Sequence, residues 1–247
     1  MRAAGASKPV RTSAKRTTRR ARRQKPRRFF RYTLSVIAAL VCFFYVSVTC
    51  ALIALKWIDP PTTSVQMERR VESWLQEGAY GKQYRFMPLS RISPNLQHAI
   101  IAAEDARFYQ HHGFDWKQVR IAAADDLEGR RMRGASTIDQ QLVKNLFLTT
   151  SRSPLRKLIE ATLVPPAEII LGKQRILELY LNIVEWAPGV YGCEAASQRY
   201  FHLPAARVSR EQGARLAAVL PAPRRRNPAG MTLYAHRILL RMRQMGW

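Results

Sequence analysis

Residues 34–55, LSVIAALVCFFYVSVTCALIAL, run for 22 positions without a charge. As a helix at about 1.5 Å per residue the segment is roughly 33 Å long, enough to cross a hydrocarbon core of about 30 Å. Its polar members Ser35, Ser47 and Thr49 can bond back to helix carbonyls. The run is too long for a signal-peptide core of about 7–15 residues, and no small-x-small cleavage site follows it. Cys50 lies too deep in it for a lipoprotein anchor. The chain is therefore predicted to begin with one transmembrane helix, residues 32–57, with Tyr32 and Trp57 as interfacial anchors.

Charge orients this helix. Of 41 Lys and Arg, thirteen fall in residues 1–31, where there is no acid at all. The positive-inside rule places that tail in the cytoplasm and residues 58–247 outside. Residues 1–28 lack large apolar side chains almost entirely and are predicted to be disordered. Topology and attraction to anionic lipid account for the tail, so its basicity does not argue for nucleic acid. The body remains basic, which favours an anionic partner. Cys193 is the only cysteine beyond the span, so no internal disulfide is expected there and burial must hold the core.

The exported part reads as mostly α. VQMERRVESWLQEG predicts a short amphipathic helix with Val65, Val71, Trp74 and Leu75 inward and Gly78 as its stop. A hairpin is expected near residues 79–90. From Ser93, an N-cap followed by Pro94, a helix is expected to run toward Gly113. Further helices are read at DWKQVRIAAADDLEGR, STIDQQLVKNLFL, SPLRKLIEATLV, KQRILELYLNIVEW, YGCEAASQRYF, SREQGARLAAVL and LYAHRILLRMRQM.

Three segments carry chemistry. In AAEDARFYQHHGFDW, His111 and His112 are adjacent and diverge, so they cannot share one ion with Glu104. Glu104 follows the small apolar run AIIAA. Burial there would raise its pKa toward that of a useful acid or base, although a solvated polar helix end remains the plain alternative. GASTIDQQLVKN sets hydroxyls and free backbone N–H groups at a helix start, with Gln140, Gln141 and Lys144 following. Taken alone it is also an ordinary capped helix. SRSPLRKLIE, with Arg152, Arg156, Lys157 and Glu160, is by itself an ion-paired surface helix.

In order along the chain, five blocks resemble the glycosyltransferase domain shared by class A penicillin-binding proteins and monofunctional peptidoglycan glycosyltransferases. They are EDARFYQHHG, GASTIDQQLVKN, RKLIE, KQRILELYLN and LPAPRRRNP, within residues 65–240. The resemblance implies a lysozyme-like helical domain that polymerises lipid II into glycan strands, inverting at the anomeric carbon and releasing undecaprenyl pyrophosphate. It implies Glu104 as the base at the acceptor 4-hydroxyl and Glu160 as the second essential carboxylate. Lys144, Arg152, Arg156 and Lys157 would neutralise pyrophosphate, with a divalent cation such as Mg²⁺ able to share that load. No organic cofactor and no protein-held metal are expected. Ser136, Thr137, Gln140 and Gln141 would hold the donor. Asp105, Phe108, His111 and Gly113 would support the site.

The same resemblance implies a bacterial inner-membrane protein with a periplasmic catalytic domain. Its partners would be lipid II, the growing strand, the membrane and cell-wall synthesis or division proteins, with no nucleic acid among them. Two departures from the family pattern stand out: Asp139 replaces a common threonine beside the anion site, and Pro165–Pro166 predict a kink after Glu160. Ser-x-x-Lys and Lys-Thr-Gly motifs do not occur, so polymerisation without cross-linking is expected. Two rivals stay open: a lysozyme-like hydrolase, and a non-catalytic anchor for anionic lipid or polymer.

Overall fold

The computed structural model describes residues 25–76, 80–128 and 134–247. The tail expectation for residues 1–24 and the Gly78 helix stop lie outside them. Two units are present, residues 1–48 and 49–247.

The first belongs to helix α1, Lys25–Ala54. It begins inside the stretch predicted to be disordered. Phe29–Ala54 is long and apolar enough to cross a membrane, and side chains such as Phe29, Leu34, Leu40 and Phe43 are exposed along it.

In the second unit the described residues are mostly helical, as the periodicity predicts. The order is α2 (Ser64–Leu75), β1 (Gln83–Tyr84), α3 (Pro94–Glu104), α4 (Trp116–Leu127), α5 (Ile138–Phe147), α6 (Pro154–Ile183), β2 (Glu185–Ala187), β3 (Val190–Tyr191), α7 (Cys193–Phe201), α8 (Arg210–Ala217) and α9 (Thr232–Gln244). Helix α3 is the central post. Leu96, Ala99, Ile100, Ile101 and Ala102 are all buried, and α8 and α9 pack against it. Helix α5 lies between α2 and α6. Among the described residues the hairpin expected near residues 79–90 does not form. Instead β1 pairs parallel with β3, which pairs antiparallel with β2, so the short strand finds its partner more than a hundred residues away.

Two other local expectations change. Val65 is buried, but Val71, Trp74 and Leu75 are exposed, and it is Gln66 that turns inward. Periodicity marks an apolar stripe without saying which face a neighbour covers. Ser93 occupies the N-cap position, yet its hydroxyl donates to the Val208 carbonyl, 2.7 Å away, and tethers α3 to the segment before α8.

Helix α6 runs through Pro165 and Pro166. Its break comes at Gly172, whose φ of 70° and ψ of 162° are non-helical. The two prolines lie on an exposed to half-buried stretch, where water can take up the carbonyls they leave unbonded. Beyond the break, Arg175 donates to the Leu55 and Ile58 carbonyls and pairs with Asp59, fixing the linker that follows the span.

Gly113 shows how tightly α6 meets the loop after α3. Its φ is +81°, and a Cβ there would sit 2.5 Å from Val164 Cγ1. Gly113→Ala is therefore expected to cost about 2–4 kcal/mol from left-handed strain and overlap together. Chemical denaturation of the full chain in detergent measures it, and a loss below about 0.5 kcal/mol would refute the close-approach reading.

Candidate active site

The helix expected to continue toward Gly113 stops at Glu104, its last residue. Asp105 turns the chain out, because its carboxylate serves two other groups. It accepts from the Ile138 backbone N–H at 3.0 Å and pairs with His111 Nε2 at 3.0 Å. Asp105 thus ties the end of α3 to the start of α5. Phe108 is fully buried beneath the Lys173 ammonium, 4.5 Å from the ring centroid. The Gly113 carbonyl accepts from Thr137 Oγ1 at 2.7 Å. These contacts tie the segment after α3 to the start of α5 and to Lys173 on α6. His112, by contrast, points to solvent.

Helix α5 opens with a complete capping box. Thr137 Oγ1 accepts from Gln140 N–H, and Gln140 Oε1 accepts from Thr137 N–H. These hydrogen bonds fix the start of the helix at the residues read from the sequence as donor-holding. Gln141 bridges Glu104 and Tyr180. Its Nε2 donates to Glu104 Oε2 at 2.8 Å, and its Oε1 accepts from the Tyr180 hydroxyl at 2.9 Å. Burial pushes the Glu104 carboxyl above its ordinary value; the Gln141 hydrogen bond and the Lys144 and Arg226 charges oppose that, and Asp105 adds to it.

Lys144, one helical turn beyond Gln140, feels both carboxylates. Burial lowers its pKa, Glu160 and Glu104 hold it up, and Arg156 and Lys157 press it down. Glu160 is buried on α6, with Oε2 2.5 Å from Arg156 Nη1 and Oε1 bonded to Lys157 Nζ. Lys157 also donates to Ser136 Oγ at 3.2 Å, joining this cluster to the loop before α5. Arg152 stands exposed on the loop before α6. Lys144 thus stands electrostatically between a carboxylate held by two cations, Glu160, and one held by an amide, Glu104.

Asp139 does not face this cleft. It is fully buried, 3.0 Å from Lys173 Nζ, which also bonds Glu168 at 3.0 Å. Burial and its hydrogen bond with Glu168 push its pKa up to about 7, against Lys173. The substitution therefore adds no charge at the anion site.

Four residues near Glu104 carry no assignment from the sequence. Tyr180 reads as core because it lies on an apolar stripe. Arg226 lies in LPAPRRRNP but carries no distinguishing spacing. Arg241 sits on the last helix, where its Nη1 donates to the Ala102 carbonyl at 3.3 Å. Asp115 caps α4, with Oδ1 accepting from Lys117 and Gln118 N–H.

Asp105, His111 and Asp139 bring three donor atoms within 4.8 Å of one another and could hold a metal ion. In this structure their carboxylates are engaged by the Ile138 amide, His111 and the Lys173 ammonium. At the cation cluster both Glu160 oxygens are likewise taken by Arg156 and Lys157.

Residues 71–245 match a family model described as Transglycosylase. A protein of Pseudomonas syringae pv. syringae, named biosynthetic peptidoglycan transglycosylase, is 43% identical over 215 residues, covering 85% of this chain and 91% of that one. Proteins of the same name from Pseudomonas aeruginosa and Laribacter hongkongensis are each 41% identical. They cover 90% and 77% of this chain, and 92% and 84% of their own lengths.

Proposed function

This chain belongs to the transglycosylase family, and from that premise we propose that it is a membrane-anchored peptidoglycan glycosyltransferase that polymerises lipid II. The observation that carries the reading is the pairing of an amide-held, half-buried Glu104 with the cation cluster around Glu160. In this reading Glu104 takes the proton from the acceptor 4-hydroxyl as that oxygen attacks the anomeric carbon of the growing chain. The bond to undecaprenyl pyrophosphate breaks with inversion. Lys144, Arg152, Arg156 and Lys157 meet the charge that develops on the leaving group. Ser136, Thr137, Gln140 and Gln141, at and just inside the start of α5, hold the donor. A divalent cation that arrives with the pyrophosphate would be held by that ligand rather than by carboxylates of this chain.

Helix α1 supports a single-pass anchor, and the basic residues before it favour a cytoplasmic N-terminus with the catalytic domain outside. Cross-linking is not part of the proposal. The test offers purified full-length protein lipid II. Long glycan strands support the reading, lysis of finished peptidoglycan would favour a hydrolase, and binding without turnover would favour an anchor.

A pH profile tests the base separately. Because burial raises the Glu104 pKa, the acid limb of kcat/KM is expected to have its midpoint above the ordinary glutamate value of about 4.3. Gln141→Leu removes an N–H donor that stabilises the carboxylate, so the midpoint should move further up. A midpoint unmoved in this variant would count against Glu104 as the titrating base.

A further inference from the structure

Between α5 and α6 the chain passes through residues 148–153, LTTSRS, a stretch without regular structure. It carries Arg152 and leads into the turn of α6 that bears Arg156 and Lys157. Thr149, Ser151, Arg152 and Ser153 are exposed, so the loop's own packing does not settle where these cations stand. Thr150 is half-buried, and its partner comes from a distant part of the chain.

Glu68, on α2, holds Thr150 with both carboxylate oxygens. Oε2 accepts from the Thr150 backbone N–H at 2.8 Å, and Oε1 accepts from its hydroxyl at 2.8 Å. Hydrogen bonds to an ionised carboxylate are among the strong ones, and two on one residue fix its orientation as well as its place. The next residue passes this on. The Ser151 carbonyl accepts from Arg156 Nε at 2.6 Å, and Arg156 Nη1 pairs with Glu160 at 2.5 Å. Hydrogen bonds and one peptide unit thus lead without a gap from α2 to the cation cluster.

The other end of that path is firm. Thr63 caps α2 by accepting from Gln66 N–H, and Val65 and Gln66 are buried. Arg69 pairs with Glu72 and, at 3.3 Å, with Glu185 of β2. The helix also packs on α5.

We propose that Glu68 is a positioning residue for the leaving-group cations: by clamping Thr150 it sets the Ser151 carbonyl, and through it Arg156, where the departing pyrophosphate is met. This rests on the proposed role of Arg152, Arg156 and Lys157 toward pyrophosphate. Glu68 itself does not touch substrate. Both its oxygens are engaged by Thr150, so it acts through the geometry of the loop and not by neutralising a cation. It precedes residues 71–245, the segment that matches the family model.

The test uses full-length protein in detergent, lipid II as substrate and inorganic pyrophosphate as competing anion, below the unfolding midpoint of every variant. Glu68→Ala removes both bonds. It is expected to lower kcat about 10- to 100-fold and to raise the pyrophosphate inhibition constant about 10-fold, because the cations lose their fixed geometry. The acid limb of kcat/KM, which Glu104 sets in the proposed mechanism, is expected to keep its wild-type midpoint; a general loosening of the fold would move it. Glu68→Gln loses the charge but keeps an acceptor for the N–H and offers its amide to the hydroxyl oxygen, so both constants should stay within about threefold of wild type. Thr150→Val removes only the hydroxyl and should fall between, and it carries the comparison should Glu68→Ala not fold. In an Arg156→Ala background, adding Glu68→Ala should cost less than about threefold more, since residues that act through one another are not additive.

An unchanged pyrophosphate constant in Glu68→Ala and Thr150→Val, a shifted acid limb, a Glu68→Gln as impaired as Glu68→Ala, or full additivity with Arg156→Ala overturns the proposal. Strands formed by wild type with no inhibition by pyrophosphate would take the cations out of the leaving-group role, and this inference with them. No strands at all from lipid II would instead overturn the proposed function.

Discussion

Glu104→Gln is expected to lower lipid II polymerisation by at least about 10³-fold while making the folded protein more heat-resistant at neutral pH. The activity loss follows from removing a general base, worth about 10²–10⁴-fold. The stability gain follows from linkage. Burial raises the folded pKa of Glu104 above its unfolded value, so the native state binds the proton more tightly than the unfolded chain does. The folded state is then penalised once pH exceeds the unfolded pKa, and the penalty is complete above the folded one. A neutral glutamine escapes it while still offering Oε1 to the Gln141 amide. The midpoint should rise by about 1–3 °C at pH 7–8, and the difference should vanish near pH 4, where both side chains are neutral. Retained activity would remove Glu104 from the chemistry. A fall in midpoint would show that the carboxylate is structural.

Glu160→Gln is expected to behave in the opposite way and lose both. Glu160 is buried and bonded to Arg156 and Lys157, so neutralising it leaves two cations beside Lys144 with no counter-charge. Breaking a buried pair costs about 3–5 kcal/mol. Because Lys157 is nearly half exposed and screened by water, about 1–3 kcal/mol is the better figure here. Turnover should fall at least about 10²-fold as the cations lose their fixed geometry. Added salt should recover part of the stability by screening the repulsion, but not the activity. A variant as stable as wild type would mean that the cluster is held by something other than Glu160.

Helix periods, caps and the apolar run make the mostly α architecture legible in the residues alone. What they do not reveal is which face of an element a distant neighbour will cover. Trp74 and Leu75 lie on an apolar stripe and stay exposed, while Gln66 is buried beside Val65. A similar gap explains the prolines. Pro165 and Pro166 are tolerated within the helix, and the bend falls at Gly172, where only the positive φ reveals it. At the site, the segments that resemble the family contain Glu104, Gln141, Lys144 and Glu160, which a hydrogen bond and charge interactions link to one another. Thr137 and Gln140 belong to the same motif but hold one another in the capping box. Asp115 and Arg241 come to the cleft through tertiary packing, and spacing along the chain carries no trace of it.

The Tyr180–Gln141–Glu104 chain has a consequence for proton traffic. Tyr180 is fully buried and its phenol is held far above its usual pKa by burial, so it stays protonated and donates to Gln141. Gln141 stands between, and a carboxamide does not readily pass protons along. Along this chain of described residues, no proton passes beyond Glu104. Under the proposed role of Glu104, a proton taken from an incoming sugar leaves by the side from which it came. Each added sugar then requires the base to be reset through the same opening that admits the next acceptor, which makes the mouth of the cleft the shared exit for proton and product.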